Sequence, residues 1–206
     1  MNTDRKKARR LRGRTRGFSL IELVIVVSVV MVIAALVVPN VLRAVSNFRL
    51  RASAGDLASI MQQARILAAK NNTTYEVRYT TLNSAQIAYV DLNGNGSFDT
   101  GEPLIQFSNN TVPATGAPTG SGGQPTPYVL AGDTGTGSYN NTNTLGFTGR
   151  GLPCNYDTTT SPATCTTPAA TYFVYYLTDN RQGWTATVVT KSGLVKTTTW
   201  NGTSWN

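Results

Sequence analysis

GRTRGFSLIELVIVVSVVMVIAALVV, residues 13–38, divides the chain into unlike parts. A basic segment ends at Gly17. Phe18 then opens a 21-residue run to Val38 whose only charge is Glu22. At about 1.5 Å rise per residue this run makes a helix about 30 Å long, the thickness of a bilayer's hydrocarbon core. Pro39 follows at once. An ionisable group near the bilayer interior costs about 2.5–3.5 kcal/mol even on lenient insertion scales. Glu22 therefore reads as a functional residue that needs a partner.

Upstream, residues 1–16 hold eight bases and one acid, Asp4. No apolar segment lies before Gly17, so this is not an ordinary secretory signal. The bases hold the N-terminus in the cytoplasm and send the helix across with its C-terminal end outside. In this setting Gly17-Phe18-Ser-Leu-Ile-Glu22-Leu resembles the class III signal of type IV pilins and type II secretion pseudopilins. The resemblance implies cleavage between Gly17 and Phe18 by a membrane-embedded prepilin peptidase and N-methylation of Phe18. It also implies assembly with other pilins through the N-terminal helix, with Glu22 as the assembly residue. The competing reading is a plain signal-anchor helix with Glu22 at the interface.

Glu22 follows Phe18 by four residues, one helical turn. Cleavage creates an amine at Phe18, and a carboxylate at that depth is tolerable only when paired. The resemblance implies pairing between neighbouring subunits; the residues alone leave pairing within one chain equally open.

The net charge of +8 suggests nucleic-acid binding until it is located. Eight bases and one acid fall in the leader, against ten bases and nine acids after it. Most of the positive charge is thus a topology signal, and no general polyanion-binding surface follows. Cys154 and Cys165 lie beyond the helix, on the extracytoplasmic side, where a disulfide is the default. With no histidine in the chain, a cysteine-based metal site has nothing to complete it. The commonest general base is missing too, and no nucleophile motif or phosphate-binding glycine loop appears, so an enzyme is not expected.

After Pro39 the pattern stays helical. Val41, Val45, Phe48, Leu57, Ile60, Met61, Ala64, Leu67 and Ala68 recur at three- and four-residue steps, and Asn71 and Asn72 close the run. Phe18 to Lys70 as one helix is about 80 Å long. Its first half, 18–38, is apolar all round and suits a membrane; its second, 39–71, is one-sided and suits a domain surface. From 72 to 206 short β-type runs take over, at 74–81, 86–90, 104–107, 128–131, 145–148, 172–178, 184–190 and 194–200. On the first, Tyr75, Val77 and Tyr79 alternate with Glu76 and Arg78. Residues 180–183 and 191–193 read as hairpin connections. Residues 108–143 and 153–170 read as long loops, either functional surfaces or decoration. The expected architecture is α+β: a long helix, transmembrane in its first half, packed by its second half on an antiparallel sheet. This is the lollipop that the pilin resemblance implies, anchored once in the inner membrane with its domain outside the cytoplasm.

Within that family the order is most similar to H-type minor pseudopilins and FimT-type minor pilins. The supporting segments are 91–104, 145–153 and the 191–196 hairpin before Trp200. The implied role is a structural subunit of a secretion pseudopilus or type IV pilus. The alternative is a FimT-like minor pilin that binds DNA or surfaces. Where such proteins carry Gly-Arg-x-Arg, this chain has Gly193-Leu194-Val195-Lys196.

One further segment carries chemistry. Asp91-Leu-Asn93-Gly-Asn95-Gly-Ser97-Phe-Asp99-Thr-Gly-Glu102 fits the spacing of a calcium loop, with side-chain oxygens at Asp91, Asn93, Asn95, Asp99 and Glu102 and the Ser97 carbonyl. Its flanks read as strands, and its two Asn-Gly steps make a good hairpin turn without metal. Both readings stand at this point.

Overall fold

Ser19 caps the long helix: its carbonyl accepts the N–H of Leu23 at 3.2 Å, the first bond of the ladder. The helix α1 then runs Leu20–Asn71 without interruption. The computed structural model describes residues 17–114, 116–118, 125, 144–157, 164–166, 172–179, 181 and 183–206. The basic leader at 1–16, the expected strand at 128–131, most of 115–143, and residues 158–163, 167–171, 180 and 182 lie outside the described residues. The chain divides into two units, Met1–Leu42 and Arg43–Asn206.

In the first unit every residue from Gly17 to Leu42 is exposed. The helix there is long and apolar enough to cross a membrane by length and composition. Ser28 donates its hydroxyl to the Val24 carbonyl at 2.7 Å, which satisfies a polar group that hydrocarbon could not. Pro39 sits inside the helix and removes one N–H, but does not end it. Beside it, Asn40 Nδ2 donates to the Leu36 carbonyl at 3.2 Å.

In the second unit the helix presents one seam to the sheets: Leu50, Ser53, Ala54, Leu57, Ile60, Met61, Ala64 and Ala68 are buried. Val45 and Phe48, expected on this face, are exposed, Phe48 at 73%. The reason is angular. At about 100° per residue, Phe48 stands nine residues from Leu57 and so faces the opposite side. Asn72 ends the helix at φ 49°, and Thr73 N–H donates to the Ala68 carbonyl at 3.1 Å, a Schellman-type cap.

Among the described residues ten strands follow: β1 Tyr75–Leu82, β2 Ala85–Asp91, β3 Leu104–Gln106, β4 Val112–Ala114, β5 Thr144–Phe147, β6 Pro153–Asp157, β7 Thr164–Thr166, β8 Tyr172–Thr178, β9 Trp184–Thr190 and β10 Val195–Trp200. They form two sheets, ordered β3-β2-β1-β5-β6-β7 and β10-β9-β8-β4. Every described pairing is antiparallel. The architecture is therefore α+β and pilin-like, with two sheets where one was expected. Val77, Tyr79, Val90 and Phe147 of the first sheet and Phe173, Tyr175, Leu177 and Val189 of the second share one core with the helix seam. The other face of the second sheet is covered by Trp205, which packs on Tyr176 and Val188 as the C-terminal segment folds back.

Two expectations are corrected here. The segment 153–170 is not only loop: β6 and β7 pair across it, Tyr156 opposite Cys165. Likewise 108–143 contributes β4, which pairs with β8 at the edge of the second sheet. All three strands are short and carry proline, threonine or cysteine, so no alternating apolar pattern marks them. Strand β1 also differs in detail. Glu76, on its polar face, is 1% exposed and pairs with Arg78 at 3.2 Å. The cover on that face is the 91–102 loop, whose Gly96 lies against the Arg78 guanidinium.

Candidate functional site

The N-terminal site is built by a helix start. Phe18 lies two residues before Leu20, is 82% exposed, and follows Gly17, which has open space around it. The Gly17–Phe18 peptide bond is thus in irregular, exposed backbone ahead of the helix. Glu22 occupies the first helical turn, where the positive end of the helix dipole favours an acid. It is exposed and makes no ion pair among the described residues. The structure therefore places the three residues read from the sequence in one short segment. Chemically, the arrangement offers a carboxylate one turn from the amine that cleavage would create.

The 91–102 loop closes on its own hydrogen bonds. Asp91 Oδ1 accepts the N–H groups of Asn93 and Gly94 at 3.2 and 2.6 Å, and its Oδ2 accepts that of Gly96 at 2.6 Å. Asn93 Oδ1 accepts from Asn95 N–H, and Asn95 Oδ1 from Ser97 N–H. Both asparagine amides donate to Asp99 Oδ2 at 2.7 Å, which holds the Asp99 carboxyl below its usual range. Glu102 accepts Leu92 N–H on one oxygen and Asp99 N–H on the other. Tyr89 tethers the loop by donating its hydroxyl to the Gly96 carbonyl at 3.1 Å, and burial pushes that hydroxyl up to about 12. The residues named for calcium thus stand together, and the side-chain oxygens of Asp91, Asn93, Asn95, Asp99 and Glu102 accept protein N–H groups. Among the described residues no three His, Cys, Asp or Glu side chains form a group able to hold a metal ion.

Cys154 and Cys165 form a disulfide across β6 and β7, with their Cα atoms 5.5 Å apart.

A further arrangement escaped the sequence reading. Thr148-Gly-Arg-Gly151-Leu152 joins β5 to β6, and Thr190-Lys-Ser-Gly193-Leu194 joins β9 to β10. In both, the threonine N–H donates to the leucine carbonyl, at 2.9 and 3.0 Å, and the glycine N–H donates to the threonine carbonyl, at 2.7 and 2.8 Å. In both, the leucine N–H returns a bond to the threonine hydroxyl. The glycines sit at φ 71° and 77°. One turn belongs to each sheet, and Arg65 of the helix joins them. Its Nε donates to the Gly151 carbonyl at 3.0 Å and its Nη1 to the Gly193 carbonyl at 2.9 Å. A Cβ on Gly193 would lie 3.0 Å from the Gly151 carbonyl oxygen, so the tips meet where a side chain has no room. The signal in the sequence was the repeated Thr-x-x-Gly-Leu, seen only when the two hairpins are aligned.

No curated protein and no solved structure matches this chain. Residues 12–38 match the family described as the prokaryotic N-terminal methylation motif. That match covers the Gly17–Phe18 junction, Glu22 and the apolar run, and it implies processing by prepilin peptidase and assembly with other pilins. Over this N-terminal segment the chain is similar to the type IV pilins and pseudopilins, and the match supports that family.

Proposed function

We propose that the protein is a minor pilin-class subunit, a structural component of a type II secretion pseudopilus or a type IV pilus. In this reading it is held once in the inner membrane with residues 43–206 on the extracytoplasmic side. The observation that carries the reading is Glu22 in the first turn of an exposed apolar helix, five residues past the Gly17–Phe18 junction. Once the leader is removed, the Phe18 amine and a Glu22 carboxylate need each other in a medium of low dielectric, and helices stacked in a filament supply that pairing. The role is structural, not enzymatic, as the family motif suggests. The test is a Glu22→Ala variant expressed with the chain's own assembly system. The variant is cleaved normally but missing from sheared filaments, whereas Glu22→Asp is partly retained. Equal incorporation of Glu22→Ala and the parent chain would overturn the reading.

Calcium at 91–102 is a separate proposal, with Asp91, Asn93, Asn95, Asp99, Glu102 and the Ser97 carbonyl as ligands and a structural role between β2 and β3. Calorimetry with calcium on the parent chain and on Asp91→Ala decides it. Heat present in the first and lost in the second supports the site, and no heat near millimolar calcium removes it.

The DNA-binding alternative has no specific observation in its favour. Lys196 is exposed at the last hairpin, but Leu194 stands at the first arginine position of the FimT-type element.

A further inference from the structure

The paired turns leave a cavity of about 520 Å³ between themselves and the end of the helix. Arg150 and Lys191 stand at it from the two tips, Asn72 and Thr74 from the helix end and the residues after it, and Leu152 and Phe173 give it an apolar side. Leu152 is 45% exposed, and Leu194, on the partner tip, is 50% exposed. Arg150 and Lys191 are exposed and make no ion pair among the described residues. Two cations and the half-exposed Leu152 thus flank one cavity, with Leu194 exposed on the neighbouring tip.

Beyond the filament role, and independently of it, we propose that this cleft docks an acidic, apolar peptide segment of a partner protein. The carboxylates of that segment would meet Arg150 and Lys191, and an apolar side chain between them would enter against Leu152 and Phe173. Three features of the site favour this occupant. Its volume falls within the range of ordinary ligand sites, about 300–1,000 Å³, and suits one or two side chains. Among the described residues its charge is two cations, set beside apolar surface. A nucleic-acid duplex presents a charge about every 1.7 Å along a rod too wide to enter such a cavity, and would leave Leu152 without a partner. The walls are also set before binding. The Arg65 bonds fix both tips, and a Cβ on Gly149 would fall 2.7 Å from Asn72 Oδ1, so that turn is seated directly on the helix end. A preformed surface reduces the ordering cost of association.

The test uses the full chain in detergent micelles and fluorescence polarisation, with empty micelles as the blank. The probes are a labelled peptide of alternating glutamate and leucine, its lysine–leucine counterpart and a short DNA duplex. The glutamate peptide binds and the lysine peptide does not. Affinity for the glutamate peptide falls about tenfold or more in Arg150→Gln/Lys191→Gln and weakens as salt rises. A second variant, Leu152→Ser, weakens binding without changing its salt dependence, which separates the apolar contact from the charges. Both variants alter exposed side chains, and an unchanged near-ultraviolet circular dichroism spectrum confirms their folding. The proposal is overturned if the glutamate peptide binds no better than the lysine peptide, or if the double variant binds it as tightly as the parent. It is also overturned if the duplex, not the peptide, loses affinity in the double variant.

Discussion

Replacing Arg65 by methionine tests how the two sheets are held to the helix. The methionine keeps most of the aliphatic stem but removes both donors, leaving the part-buried carbonyls of Gly151 and Gly193 without their partner. A hydrogen bond from a charged group contributes about 1.5–3 kcal/mol, and the partial exposure of Arg65 lets water replace some of that. Two bonds so discounted give a loss of about 2–4 kcal/mol. For a domain of this size that corresponds to a fall in Tm of about 5–15 °C. The assay is thermal unfolding of the full chain in micelles, followed by circular dichroism of the β-rich domain. Arg65→Lys keeps the charge but lacks the planar fork that reaches both tips, so its Tm falls between the two. A Tm within about 1 °C of the parent for Arg65→Met would refute the clamp.

Three other outcomes follow from the core and its edges. Thr187 is fully buried and its hydroxyl has no partner among the described residues, so Thr187→Val should raise stability by about 1 kcal/mol in the same assay; a loss of similar size would show a partner for the hydroxyl. Opening the Cys154–Cys165 bridge, eleven residues apart in sequence, by Cys154→Ser/Cys165→Ser should cost about 3 kcal/mol or less, and an unchanged Tm would mean that β6 and β7 hold without it. Burial pushes the Asp179 carboxyl up, but bonds from the Ser46 hydroxyl and from the N–H groups of Arg181 and Gly183 outweigh it and hold it below its usual range. Such a group stabilises the fold above the unfolded carboxylate range and loses that contribution as pH falls through its folded value. Stability should therefore drop below about pH 4, less steeply in Asp179→Asn, and identical acid limbs for the two proteins would contradict this.

What was legible in the sequence follows from which forces act locally. The apolar run and Glu22 are read from transfer energies alone, and the helix appears where expected to within two residues at its start and one at its end. Tyr172–Thr178 and Trp184–Thr190 were legible because β-branched and aromatic residues crowd both strands. The buried face of the helix was only half legible. Apolar spacing placed Leu57, Ile60, Met61, Ala64 and Ala68 correctly and Leu67 at the half-buried margin, but Phe48 and Val45 shared the spacing loosely and are exposed. Strands β4, β6 and β7 are held by pairing with distant segments, which no local pattern records. Arg65 is the same case. Nothing near it in sequence announces that its guanidinium joins two turns more than eighty residues away. At the 91–102 loop the spacing gave the right residues in one place, while their hydrogen bonds emerge only from the folded loop.

The central claim is that residues 13–38 are a pilin-type processing signal followed by an assembly helix. Its most direct measurement is mass spectrometry, with N-terminal sequencing, of the chain extracted from membranes that contain its own prepilin peptidase. The expected product starts at Phe18 and carries one methyl group on its new amine. A chain that keeps its basic leader and an unmethylated start would contradict it.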